Sequence, residues 1–138
     1  MTPKFSDVDI ISLLVIAVTV VIGTLLWPRL PTQVSIHFSA SGTPGNYVPR
    51  TVAVLAMPIV MTATAIVLKG VARIDPPEDT RKYDTIICST MCLFFVGHLF
   101  TLGSSIGYSL PFGILPVTTT IWTVFVVYLA VKLEGVVR

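Results

Sequence analysis

Forty-seven consecutive positions, Thr85 to Val131, carry no Asp, Glu, Lys or Arg. A membrane-spanning helix needs about 20 apolar residues, so this run holds two spans and a connecting turn. Gly103-Ser104-Ser105, Gly107-Tyr108-Ser109 and Pro111-Phe112-Gly113 mark where it divides, because glycine and proline together punctuate regular structure more strongly than any other pair. The reading is a helix over about 85–103 and another over about 114–131, with Pro116 in the first turn of the second, where a missing amide costs little.

The rest of the chain repeats the pattern. Asp9 and Arg29 bracket 19 uncharged residues, and Arg50 and Lys69 bracket 18 more. Both runs are rich in β-branched residues that disfavour helix in water, but in hydrocarbon every backbone group must be paired within the segment, and helix results. These give helices at about 10–27 and 51–68. The first is read as retained rather than as a cleaved signal, since Leu25-Leu26-Trp27-Pro28-Arg29 lacks a small-x-small exit. Pro58 lies mid-helix and removes one backbone hydrogen bond, which the hydroxyls of Thr62 and Thr64 or neighbouring helices could offset. Only 12% of the residues are charged, against a mean hydropathy of +0.88, which leaves a soluble fold too little to cover its surface.

The expected fold is thus an all-α, single-domain, four-span helical bundle, joined by an outer loop at 28–50 and a solvated loop at 69–84 that a double proline breaks. Lys and Arg fix its orientation. Lys4, Lys69, Arg73, Arg81, Lys82, Lys132 and Arg138 fall on one side, and Arg29 and Arg50 on the other. The basic side is cytoplasmic in a cell membrane, so both termini face the cytoplasm. The net charge of +2 belongs to these flanks and forms no stripe for nucleic acid.

The segment 28–50 is longer than a bare connection needs. Val34, Ile36 and Phe38 alternate with Ser35 and His37, predicting a short strand whose apolar face turns to the helices or membrane and whose other face carries His37 outward. Ser39 to Asn46 supplies turn residues, and Tyr47 and Val48 return beside the first strand, giving a β-hairpin-like loop.

Leu30-Pro31-Thr32-Gln33-Val34-Ser35-Ile36-His37-Phe38, followed by Gly42-Thr43-Pro44, resembles the SdpI immunity-protein family, and more narrowly the short domain of unknown function at the N-terminus of its members. The resemblance covers about residues 10–60. Gly45-Asn46 and Arg50 replace the acidic residue and the lysine common there, and the second half of the six-helix immunity protein has no counterpart in this chain. The resemblance implies a protective role against an extracellular peptide or toxin.

The candidate binding residues are His37, Phe38, Gly42, Pro44 and Tyr47 in the outer loop. His37 is weighed between fixing a turn, binding a partner and holding a metal; the loop has no second ligand for a metal. His98 lies at membrane depth, where an imidazole bonded to a neighbouring Ser or Thr holds helices together, and no intramembrane carboxylate or cation accompanies it as a proton relay. Cys88 and Cys92, four apart, share one helix face and read as packing, because two thiols make an incomplete metal site. Gly103 and Gly107 form a small-xxx-small pair that could mark close helix contact. No catalytic set, metal or cofactor is implied. The expected partners are the bilayer, an extracellular peptide or toxin, and other membrane subunits or further copies of the chain; the competing reading is an accessory subunit of a larger membrane complex.

Overall fold

The computed structural model describes residues 6–39, 41–109 and 111–134. Lys4 and Arg138, which enter the charge count above, lie outside them.

Helix α1 spans Asp7–Leu26. Ser6 starts it with a capping box: its hydroxyl accepts from the Asp9 amide, and the Asp9 carboxylate accepts from the Ser6 amide. A short 3-10 turn, Trp27–Arg29, leads into strands β1 (Gln33–Phe38) and β2 (Pro44–Pro49), which pair antiparallel with Val34 opposite Val48 and Phe38 opposite Pro44. Helices α2 (Arg50–Ile74), α3 (Thr80–Ser105) and α4 (Ile114–Glu134) follow. Helices α1, α2 and α3 pack against one another, and α4 lies along α3.

Three of these helices are long and apolar enough to cross a membrane, and α4 adds a shorter apolar stretch, Ile114–Leu129. Large apolar side chains such as Leu14, Leu25, Ile59, Ile66 and Ile121 face outward. In water that surface would not persist; it is the exterior of a helical membrane protein.

The loop expected at 69–84 is much shorter, since α2 continues to Ile74 and α3 begins at Thr80. Lys69 and Arg73 mark where the hydrocarbon ends, not where the helix ends, because a helix continues into water until something stops it. Asp75-Pro76-Pro77 stops it, proline being unable to continue the ladder. Asp79 then restarts the chain as α3 by accepting from the Lys82 amide at 3.1 Å.

Pro58 is buried inside α2. The Thr62 hydroxyl donates to the carbonyl of Pro58 itself at 2.8 Å, rather than to that of Val54, the acceptor that proline leaves without its helical amide. The expected relief of the proline by Thr62 is therefore not what forms. At the C-terminal end of α3, beside the hairpin, the amides of Gly107 and Tyr108 bond the carbonyls of Ser104 and Gly103, with Gly107 at φ +93°. This is a Schellman cap. A Cβ on Gly107 would have no neighbour within 4 Å, so this glycine ends a helix and does not mediate the close helix contact that its spacing from Gly103 could have signalled.

At the end of the bundle remote from the hairpin, α1 and α2 are joined by an ion pair between Asp9 and Lys69. The Tyr83 hydroxyl of α3 donates to the Leu68 carbonyl of α2 at 2.6 Å. Trp122 ties α4 to α3 by donating from Nε1 to the Ser89 hydroxyl at 3.2 Å.

Candidate functional site

The hairpin is seated on the bundle at two points. At its base, Leu30 and Val34 enter an apolar cluster with Ala53 and Val54 of α2 and Leu102 of α3, flanked by Leu26, Trp27, Val48 and Ile106. Val34 is completely buried there. At its tip, Phe38 meets Phe100 edge-on with ring centroids 5.4 Å apart, and Phe112 from the α3–α4 connection closes a three-ring cluster at 6.3 and 6.4 Å. Such edge contacts add about 0.5–1.5 kcal/mol each to the area that the rings bury.

Between base and tip the expected alternation fails. Ile36, on the face expected to turn to the helices or membrane, is half exposed and does not join Val34 in the core, whereas Ser35 is buried. The cause lies across the ladder: Asn46, opposite Ile36 in this register, has φ +50°. A left-handed residue inside a strand interrupts pairing and increases the twist of a ribbon already strongly twisted for having two strands. Between Val34 and Phe38 the twist thus leaves Ile36 exposed and Ser35 buried. The Ser35 hydroxyl compensates by donating, shared, to the carbonyls of His37 and Gly45, both at 2.9 Å.

The turn is tied internally. Gly42 donates its amide to the Ser39 carbonyl, and Ser39 takes the Thr43 carbonyl with its own amide. Gly42 sits at φ +80°, and a Cβ there would come within 3.2 Å of Phe112. Glycine is thus required twice over, by conformation and by its closeness to the ring.

Beside the hairpin lies a cleft of about 140 Å³ lined by Pro31, Gln33, Ser35, Phe38, Pro44 and Tyr47, with Ser104 and Ser105 at the end of α3. Of the five candidate residues, it brings together Phe38, Pro44 and Tyr47. Gly42 is apart, against Phe112, and His37 is exposed and does not line the cleft. Ser104 and Ser105 carry no sequence signal for this cleft, because they sit 57 or more positions from the hairpin residues that line it, at the end of α3, and nothing local links them to the hairpin. Phe100 and Phe112 carry a weak signal as bulky rings at or near the turn between α3 and α4. Arg50 stacks its guanidinium over Trp27 at 4.9 Å from the ring centroid, while Arg29 is exposed.

The cleft holds hydroxyls, a glutamine amide, proline rings and two aromatic rings, with no charged side chain. Its chemistry suits apolar and uncharged polar groups, and it has no nucleophile paired with a base. Among the described residues no three His, Cys, Asp or Glu side chains come together as a metal site would require.

Residues 14–62 match DUF1648, a domain of unknown function. The DUF1648 stretch begins inside α1, takes in the whole hairpin and ends in α2 just after Pro58. It therefore contains Leu30, Val34, Ala53 and Val54 of the hairpin seat but not Leu102, Phe100, Phe112, Ser104 or Ser105, which the second half of the chain supplies. No curated protein and no solved structure matches this chain.

Deep in the bundle, His98 is 1% exposed and its Nε2 has no hydrogen-bond partner. The expected bond to a Ser or Thr of a neighbouring helix does not form at this atom, since what faces it is Gly23 of α1, beside Val54 of α2. Cys88 is half-buried and Cys92 exposed, and both are free thiols.

Proposed function

We propose that this chain is a non-enzymatic protein of the cell membrane, crossing it four times with both termini in the cytoplasm. In this reading it works through its outer hairpin as an SdpI-like protective protein. It captures or excludes an amphipathic peptide at the outer surface before that peptide inserts. The observation that carries the reading is the two-point seat of the hairpin. A connection needed only to join α1 to α2 has no use for a buried Val34, a three-ring clamp at its tip and a cleft between hairpin and helix end. The match to DUF1648 over the same segment and the sequence resemblance to SdpI proteins support it.

The contacts available in the cleft suit this role. Tyr47, Phe38 and the prolines offer apolar area at low entropic cost, and the hydroxyls of Ser104 and Ser105 offer polar contacts to a peptide backbone. The test is binding of a fluorescently labelled amphipathic peptide to the protein in nanodiscs, with residues 33–49 replaced by a Gly/Ser linker of equal length as comparison. Specific binding lost with the linker supports the reading. Equal binding by both proteins removes the hairpin from the mechanism.

A further inference from the structure

Besides the hairpin, the least explained group in the protein is His98. Its imidazole is buried where α1, α2 and α3 cross, with Nε2 unpaired, and the crossing is tight: a Cβ on Gly23 would fall 2.7 Å from Val54 Cγ1 and 3.6 Å from His98 Nε2. Val54 is also a wall of the cluster that seats the hairpin, and Leu102 of the same cluster lies one helical turn beyond His98 on α3. One side chain thus touches both the crossing and the hairpin seat.

No other group at the crossing can take up or neutralise a proton. Helix α1 presents Gly23 and has no ionisable side chain between Asp9 and Arg29, and α2 presents Val54 and has none between Arg50 and Lys69. On α3 the nearest ionisable groups are the thiols of Cys92 and, further along, Cys88, and Cys92 is exposed. In α4 the ionisable residue before Lys132 is Tyr128, 14 positions beyond the start of the helix at Ile114. His37 of the hairpin is exposed.

We propose that His98 is a proton-sensitive latch that ties the seating of the outer hairpin to pH. Neutral, the imidazole fits the crossing and the hairpin stays docked. Protonated, it is a cation with no partner in a low-dielectric site, and the charge is relieved only by separating α1 and α2 from α3, which pulls Val54 out of the seat. Acid therefore favours the undocked hairpin, and the docked state is fully held only where His98 is neutral. The latch depends on the helix crossing and not on what the hairpin binds.

The chain has two histidines, so attribution is direct. Amide exchange of residues 30–54 would be followed in nanodiscs at about pH 7.5 and about pH 5, either side of the ordinary histidine range, with correction for intrinsic rates. The expected result is a loss of protection of about tenfold or more in acid, equal to at least one pH unit of linkage, in the natural protein and in His37→Gln but not in His98→Gln. Protection unchanged with pH, a response that persists in His98→Gln, or one that disappears in His37→Gln would each overturn the proposal. Should His98→Gln fail to fold, the imidazole resonances of the natural protein decide: His98 must titrate in step with the loss of protection, and a His98 signal that stays fixed while protection falls contradicts the latch.

Discussion

Phe38 at the hairpin tip and Phe100 in α3 stand edge to face, their centroids 5.4 Å apart and their planes at 82°. The two rings are 62 positions apart in sequence, and Phe100 is buried. Replacing Phe100 with Ala empties the centre of the three-ring clamp, and truncation of a buried Phe costs about 3–5 kcal/mol. Because the base cluster of Leu30, Val34 and Leu102 remains, the expected outcome is local: exchange and proteolysis increase around residues 36–46 while the helices persist. Phe100→Leu, which keeps most of the volume, should show a much smaller effect.

Gly42 is the second point at which the tip is fixed. Gly42→Ala demands a left-handed alanine and pushes its methyl toward Phe112, at a cost of about 1–2 kcal/mol from the conformation alone. Gly107→Ala carries the same conformational cost but meets nothing within 4 Å. Thermal unfolding in detergent should therefore rank Gly42→Ala below Gly107→Ala, and only the former should loosen the hairpin.

The Tyr83 hydroxyl is the polar link between α3 and the end of α2. Tyr83→Phe removes this bond without changing the ring, for an expected loss of about 0.5–1.5 kcal/mol in unfolding free energy. Protease access to the 75–79 loop should rise, with the hairpin unaffected.

At the same end, the Lys82 amide bonded to the Asp79 carboxylate holds that carboxyl below the usual range, aided by the Lys82 side chain at 3.3 Å. A carboxyl lowered on folding stabilises the folded form above its unfolded value of 3.8, and that contribution disappears as pH falls through the lowered value. Acid below about pH 4 should thus fray the first turn of α3, seen as faster exchange at Lys82. Asp79→Asn, which can still cap but does not titrate, should lose this pH dependence.

Much of this fold is written in charge and hydropathy. The brackets Asp9/Arg29 and Arg50/Lys69 located α1 and α2, because a charge in hydrocarbon is costly enough to override propensity. The same signal misplaced the ends of α2 and α3: it reports where lipid stops, and the backbone responds instead to Pro76-Pro77 and the Asp79 cap. The hairpin was readable from the alternation at Val34 to Phe38 and the turn residues after it. That Ile36 faces out and Ser35 in was not, since it depends on the left-handed Asn46 across the ladder. The cleft was half legible: Phe38, Pro44 and Tyr47 are local to the loop, whereas Ser104, Ser105, Phe100 and Phe112 reach it only through the packing of α3. His98 was identifiable as an ionisable group at depth, but its lack of a partner follows from Gly23 and Val54, which no spacing rule connects to it.

The central claim, that the seated hairpin carries the activity, is tested most directly by a survival assay. Cells expressing the natural protein, Tyr47→Ala or Trp122→Phe would be challenged with a panel of membrane-inserting amphipathic peptides. Tyr47 lines the cleft and is largely exposed, so its loss leaves the hairpin seat intact, while Trp122 joins α4 to α3 far from it. Protection is expected from the natural protein and from Trp122→Phe, reduced by about tenfold or more in Tyr47→Ala, as for a contact worth about 1.4 kcal/mol. Protection undiminished in Tyr47→Ala, at equal expression and with the hairpin still shielded from exchange, would contradict that claim.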